Sequence, residues 1–310
     1  MQYKITVLVL QYNPNFEDLI VTLNSILQQT YKSFEIVITD DGSQKDFFDE
    51  TRSWFEKKNF HDYVLVKNSV NQGTVKNIYA GLEKCSGKYI KLISPGDSLY
   101  CNHTLETVIE EMENNNALFA FGKLAFYTLN ERLEVYNERR PYSVKPYLNN
   151  DCNLIKKHLL IYQDNISGAS VFVQKELLMR LMSIIEGSVK FQEDTSFSLL
   201  PFMEERMLFL DEYVVWYENG TGISTSGSEI WRERLTKDTE AFYEILLERY
   251  PNDKLVKKAL LLQKLQKNET IITKTIKSII FFDRFIYTHM NKYRKIEGDL
   301  PNTDFFVGNN

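Results

Sequence analysis

Carboxylates and amides recur in this chain wherever an apolar run ends. FEIVIT (34–39) runs into Asp40, Asp41, Gly42 and Ser43, and KYIKLI (88–93) runs into Ser94, Pro95, Gly96 and Asp97. ITVLVL (5–10) ends in Gln11, Tyr12, Asn13 and Pro14. YVLVK (63–67) leads to Asn71, Gln72, Gly73 and Thr74, with Lys76 and Asn77 one turn later. If the four runs are strands of one sheet, a single edge collects an aromatic, three carboxylates, a lysine and several amides. In open parallel sheets ligands settle in the crevice beyond the carboxyl ends of the strands. Each piece alone has an ordinary explanation: Asp-Asp-Gly-Ser suits a turn, Tyr12 suits packing, Lys76 suits a solvated helix, and Asp97 suits a turn or a cap. Their succession at strand ends is what points to a binding edge. A further pair, Glu193 and Asp194 in FQEDTSF (191–197), stands where acids favour a helix start. No nucleophile arrangement competes, because His61, His103, His158 and His289 are scattered and neither G-x-S-x-G nor G-x-G-x-x-G occurs.

The elements that must position these groups follow from periodicity. The continuous β-branched runs read as strands covered on both faces. Between them, Asn15 caps a helix with Leu19, Leu23, Ile26 and Leu27 on one face, a second helix spans about Gln44 to Lys57, and Thr74 caps a third that runs to Cys85. Asn102 caps a fourth helix, and ALFAFGKLAFYT (117–128) is a fifth strand. The βαβα order predicts an α/β domain with a mostly parallel central sheet flanked by helices. A polar excursion around Arg139, Arg140, Pro141 and Pro146 follows. Order returns with ASVFV (169–173), a helix from Lys175 to about Ile185, and short strands near MLFL and YVVWY. From Glu229 to about Lys295 the chain reads as nearly all helix, broken at Pro251 and near Asn268. The predicted organisation is a catalytic domain over 1–228 and a C-terminal helical region over 229–310.

Composition bounds the function. A chain of 310 residues, 43% apolar and 25% charged, buries a large core, and a net charge of −5 argues against a nucleic-acid partner. Cys85, Cys101 and Cys152 have neither disulfide-framework nor zinc spacing, which suits a reducing compartment. The N-terminus has too short an apolar run for a signal peptide or a membrane span. The N-x-S/T triplets at Asn102, Asn165, Asn219 and Asn268 therefore read as chance.

VLVLQYN, LNSILQQTYKSFEIVITDDGSQKD, NQGTVKNIYAGLEKCSGKYIKLISPGD and FQEDTSF resemble, in order and spacing, the family 2 glycosyltransferases, over roughly the first 230 residues. The resemblance implies the Rossmann-like GT-A fold and an inverting transfer of a sugar from a nucleotide diphosphate donor, with UDP-sugars the first expectation. It implies that Tyr12 stacks on the base, that Asp40 or Asp41 accepts from the ring N–H, and that Gln11, Asn13, Asn71, Gly73 and Lys76 complete the donor site. The family carries a D-x-D-like motif after its fourth strand to hold a divalent cation. Here Ser94 and Gly96 stand among the aligned donor-site positions where acids are missing, and Asp97 is the remaining ligand for Mg2+ or Mn2+. No histidine occurs in YENGTG (217–222), where the family often supplies one. Asp194 is the implied general base, and Glu193 the residue that places the acceptor or its loop. NISGASVFVQKELL resembles the acceptor-side segment, with Gly168 and Ala169 allowing close approach. Trp216, Tyr217 and Trp231 are the aromatics on offer for sugar stacking.

The expected acceptor is a hydroxyl of a glycan, lipid-linked or protein-linked, and the expected setting is bacterial polysaccharide synthesis or protein glycosylation in the cytoplasm or at the inner face of the membrane. The alternative is a sugar-nucleotide or glycan binding protein of the same descent, motivated by the missing acids. For the tail, ETIITKTIKSIIFFDRFIYTHMNKYRK (269–295), three roles compete: packing on the domain, formation of a homo-oligomer, and docking a basic amphipathic face on a membrane.

Overall fold

Strand ends line up because the register of the first strands is regular. In the computed structural model, which describes residues 4–129, 133–136, 140–218, 229–267, 269–292 and 300–306, β1 (Ile5–Gln11) pairs in parallel with β2 (Phe34–Asp40), bringing Gln11 opposite Asp40. On the far side of β2 lies β3 (Tyr63–Lys67), and on the far side of β1 lies β4 (Tyr89–Ile93), both parallel. Helices α1 (Phe16–Leu27), α2 (Phe48–Lys57) and α3 (Thr74–Leu82) make the crossovers. Asn15 caps α1 by accepting from the Glu17 amide. Two expected caps are corrected: α3 is entered through Gly73 at φ +93°, and α4 (Thr104–Asn114) through His103 rather than Asn102. Helix α2 begins four residues later than its pattern suggests, because Asp46 is occupied at the strand ends, taking Lys67 by its carboxylate and Gln11 by its carbonyl.

Beyond β4 the sheet becomes mixed. The fifth long strand, β6 (Phe119–Leu129), does not lie beside β4, because β8 (Val171–Gln174) inserts antiparallel between them. The order is β3-β2-β1-β4-β8-β6-β9-β5, where β5 is Ser98–Leu99 and β9 is Met207–Glu218; β7 (Leu133–Tyr136) adds to β6. The two short strands expected near MLFL and YVVWY are one strand. Exposed Asp211 and Glu212 fall where its register with β6 shifts, which is why the pattern looks broken there.

Alternation along the strands feeds two apolar layers. Val7, Val9, Ile36 and Ile38 pack under α1, α2 and α4. Leu8, Val37, Ile90 and Leu92 face the other side, with α3 and α7 (Lys175–Ile185). Short helices α5 (Lys145–Leu148) and α6 (Cys152–Lys157) lie on this second side. So do the C-terminal helices α8 (Glu229–Arg249) and α9 (Lys254–Lys267), whose Phe242, Leu246, Val256 and Leu262 sit in the same core as Leu8 and Phe119. Full burial of each such side chain stabilises by roughly 1.5–3 kcal/mol, which ties these two helices firmly to the sheet. Helices α10 (Ile271–Ile280) and α11 (Phe282–Lys292) follow on the surface. Cys85, Cys101 and Cys152 are free, and no helix among the described residues is long and apolar enough to cross a membrane.

Candidate active site

The carboxyl ends of β1 and β4 open into a cavity of about 530 Å3. Its walls include Gln11, Tyr12, Asn13, Asp41, Asn71 and Gly73 from the first three strand ends. Tyr12 is half exposed at 51%, so its ring is available to a ligand. Asp41 is buried and organises the third loop: its carboxylate accepts from the Gln72 amide at 2.9 Å and the Gly73 amide at 2.7 Å. At Gly73 the positive φ and the closeness of Lys190 leave no room for a Cβ, so only glycine brings this loop against the 190–192 segment.

Asp40 and Asp41 divide in role. Asp40 is fully buried, does not border the cavity, and accepts from the Ser43 amide (2.8 Å), the Ser43 hydroxyl (2.5 Å) and Gln11 Nε2 (3.0 Å). It shapes the turn. Gln11 borders the cavity, while its Oε1 is buried without a hydrogen-bond partner. Lys76 is exposed and does not border the cavity.

The SPGD turn is held from below by α1. Thr22 Oγ1 donates to the Asp97 carbonyl at 2.6 Å, and the Gly96 amide donates to the Asp18 carbonyl at 3.2 Å. Ser94, Asp97 and Asp18 border the cavity. The buried Asp97 carboxylate accepts from the Glu218 amide at 3.2 Å. Glu218 ends β9 and also lines the cavity, and its carboxylate oxygen lies 2.8 Å from where a side chain at residue 96 would begin. Gly96, itself outside the lining, thus makes room for an acid from another strand. Burial pushes Asp97 up to about 7, and the Glu218 charge adds to this, while the Glu218 amide and Lys91 oppose it. Lys91 is fully buried beneath the turn, where its Nζ donates to the Ala169 carbonyl and lies 4.7 Å from the Phe172 ring centroid. Burial lowers it to about 7 against the pull of Asp97.

Glu193 and Asp194 open a 3-10 helix (Glu193–Phe202) on the opposite wall, with Ser167, Gly168 and Ala169 beside them. Burial raises both carboxyls, and Glu193 is raised further by the charge of Asp194, so Asp194 is the first of the pair to ionise. The loop before them is fixed by α8. The buried Asp238 accepts from the amides of Lys190 (3.1 Å), Phe191 (2.5 Å) and Gln192 (3.0 Å). Of the three aromatics considered for sugar stacking, Trp216 is core, whereas Tyr217 and Trp231 line the cavity, Trp231 edge-on to Phe191.

The sequence profile of the family described as Glycosyl transferase family 2 matches residues 6–175, more than half of the chain. This chain belongs to glycosyl transferase family 2. Its relatives include a glycosyltransferase of Rickettsia bellii, 31% identical over 38% of this chain and 16% of that protein. They also include the bifunctional glycosyltransferase pgtA of Dictyostelium discoideum, 26% identical over 65% of this chain and 26% of that protein. A third is the UDP-Glc:alpha-D-GlcNAc-diphosphoundecaprenol beta-1,3-glucosyltransferase WfgD of Escherichia coli, 28% identical over 39% of this chain and 45% of that one. The matches span under half the length of these curated relatives. Among solved structures, S. aureus TarS 1-349 in complex with UDP superposes with a TM-score of 0.54 at 15% identity, covering 87% of this chain and 73% of that one. The mannosyltransferase PcManGT from Pyrobaculum calidifontis, in complex with GDP-Man and Mn2+, gives 0.53 at 15% identity over 94% and 85%. The family 2 chain therefore has the GT-A fold.

The profile match ends at residue 175, so the part of the cavity wall from Phe191 to Leu235, Glu193 and Asp194 included, lies beyond it in this family 2 chain. Two residues that shape the site, one in the wall and one behind it, have no motif in the sequence. Glu218 lies in YENGTG, the segment in which the resemblance implies a histidine, and its signal is that a carboxylate is also a hard ligand. Asp238 lies in the middle of a helix, where an acid looks like surface; its signal is an acid buried on the same side of α8 as Phe242. Residues 219–222 of YENGTG lie outside the described residues.

Proposed function

We propose that this chain moves a sugar from a nucleotide diphosphate sugar, in the first instance a UDP-sugar, to a hydroxyl of a glycan or glycoconjugate, with inversion at the anomeric carbon. The observation that carries the reading is that one cavity is shared by Tyr12 and Asp41, by Asp97 and Glu218, and by Glu193 and Asp194. The UDP complex of TarS and the UDP-Glc in the name of the E. coli relative support the choice of donor. Tyr12 would stack on the base, and Asp41, which borders the same cavity, would accept from a ring N–H. Asp194 would take the proton of the acceptor hydroxyl as its oxygen bonds to the anomeric carbon. The bond to the diphosphate oxygen breaks, and the nucleoside diphosphate leaves with the electron pair. Glu193, whose carboxyl is raised by burial and then by the charge of Asp194, would donate a hydrogen bond to the acceptor in its protonated form.

Among the described residues there is no group of three or more side chains able to cage a metal ion. Two carboxylates nonetheless fit Mg2+ or Mn2+ when donor phosphates and water fill the other positions. The space left by Gly96 for the Glu218 carboxylate, and the cost of ionising buried Asp97 without a cation, both favour that fit. Asp97 and Glu218 would be the protein ligands. When bound, the ion offsets the negative charge that builds on the leaving diphosphate. The three free cysteines support a reducing, cytoplasmic setting.

The test is nucleotide release and product formation from a panel of UDP- and GDP-sugars with simple glycan acceptors, on the wild type and Asp194→Asn. Turnover that disappears in the variant while donor binding persists supports the enzyme. Donor binding without turnover in either protein supports a binding protein built on this fold.

A further inference from the structure

Helix α11 is mounted with its polar side inward. Asp283 pairs with Lys157 at 2.7 Å, Arg284 donates to Gln163 Oε1 at 2.8 Å, and Tyr287 donates to Asp164 at 2.5 Å while stacking on Tyr162 at 4.4 Å between centroids. The opposite side carries Phe282, Phe285, Ile286 and Met290, all exposed. Helix α10 buries none of its residues, and it exposes Ile271 at 85%, Ile272 at 71% and Ile279 at 73%. A surface helix normally turns its apolar face to the core. Here ion pairs and hydrogen bonds hold α11 the other way round, and the apolar surface of both helices is left to solvent. A patch of this kind marks a contact with something else.

Charge decides between occupants. Apart from Asp283 and Arg284, which are held against the domain, residues 269–295 hold five basic residues against the single acid Glu269, which Lys274 and Lys277 share, in a chain whose net charge is −5. A second copy docked through the same face would bring this basic segment against itself. An anionic lipid surface meets both properties at once, taking the isoleucine and phenylalanine side chains into the acyl boundary and the lysines among its headgroups. We propose that α10 and α11 form a peripheral docking surface for an anionic bilayer. The polar contacts of α11 then transmit that anchorage to the domain through Lys157, Gln163 and Asp164. The surface lies outside the cavity walls and does not depend on the assigned reaction.

The test is flotation of the full chain with phosphatidylcholine vesicles and with vesicles that also contain phosphatidylglycerol, together with light scattering in the absence of lipid. Binding is expected to the anionic vesicles only, to weaken with added salt, and to fall roughly tenfold or more in Phe285→Asp/Met290→Asp and again in Ile272→Asp/Ile279→Asp. All four side chains are exposed, and a melting curve like that of the wild type checks the fold of each variant. No binding to anionic vesicles, or equal binding to both kinds, overturns the proposal. So does a lipid-free dimer that Phe285→Asp/Met290→Asp dissociates while vesicle binding persists.

Discussion

The backbone amide of Glu218 donates to the Asp97 carboxylate at 3.2 Å, which sets the end of β9 against the turn after β4. The turn carries Ser94 and Gly96 where the resemblance implies acids, and Glu218, 121 residues further along the chain, brings a carboxylate to the same turn. Asp97→Asn should abolish metal-dependent donor binding. Glu218→Gln should weaken it about tenfold, or about 1.4 kcal/mol. Titration calorimetry of UDP with and without Mn2+ checks both. Unchanged affinity in Glu218→Gln would show that the second carboxylate is not a ligand.

Asp238 fixes the backbone of residues 190–192, which leads directly into Glu193 and Asp194. Asp238→Ala leaves three amides without their acceptor and should cost about 2–4 kcal/mol of stability. The milder Asp238→Asn should lower kcat roughly 10- to 100-fold by displacing Asp194, with donor affinity intact. Kinetics set beside donor calorimetry separate this positioning role from a purely structural one, which would leave kcat of the folded variant unchanged.

Glu193 gives stability a pH dependence of defined sign. Burial, and then the charge of Asp194, raises it from 4.5 to about 8. A carboxyl with a raised folded pKa takes up a proton on folding. Its contribution is full below the unfolded pKa and is lost as pH rises through the folded value. Glu193→Gln should therefore raise Tm at pH 8 and flatten the decline in stability between about 4.5 and 8. Thermal melts across that range check it, and an unchanged slope would mean that Glu193 is solvated.

Tyr12 is half exposed and borders the cavity. If a base stacks on it, Tyr12→Ala should weaken UDP binding by about 1–3 kcal/mol and raise the donor KM with kcat nearly unchanged. Steady-state kinetics at saturating acceptor would reveal a kcat effect instead if the ring contacted the acceptor.

Local chemistry by itself determined the strands 34–40, 63–67 and 89–93, the Asn15 cap, helix α7, and the collection of Gln11, Tyr12, Asp41 and Asp97 at one edge. Those features rest on side-chain period, capping and turn composition, all of which act over a few neighbouring residues. Tertiary structure alone decided that β8 separates β4 from β6, and that Asp40 turns inward while Asp41 faces the loop and cavity. It also decided that Trp216 is core while Trp231 lines the wall, that Lys76 stays outside, and that Glu218 and Asp238 complete the site. The reason is common to all of them. Which neighbour a strand takes, and which of two adjacent acids finds an amide or a cavity, depends on groups distant along the chain, from 32 residues for Asp41 and Gly73 to 121 for Asp97 and Glu218, and burial is a property of the packed sheet rather than of any segment within it.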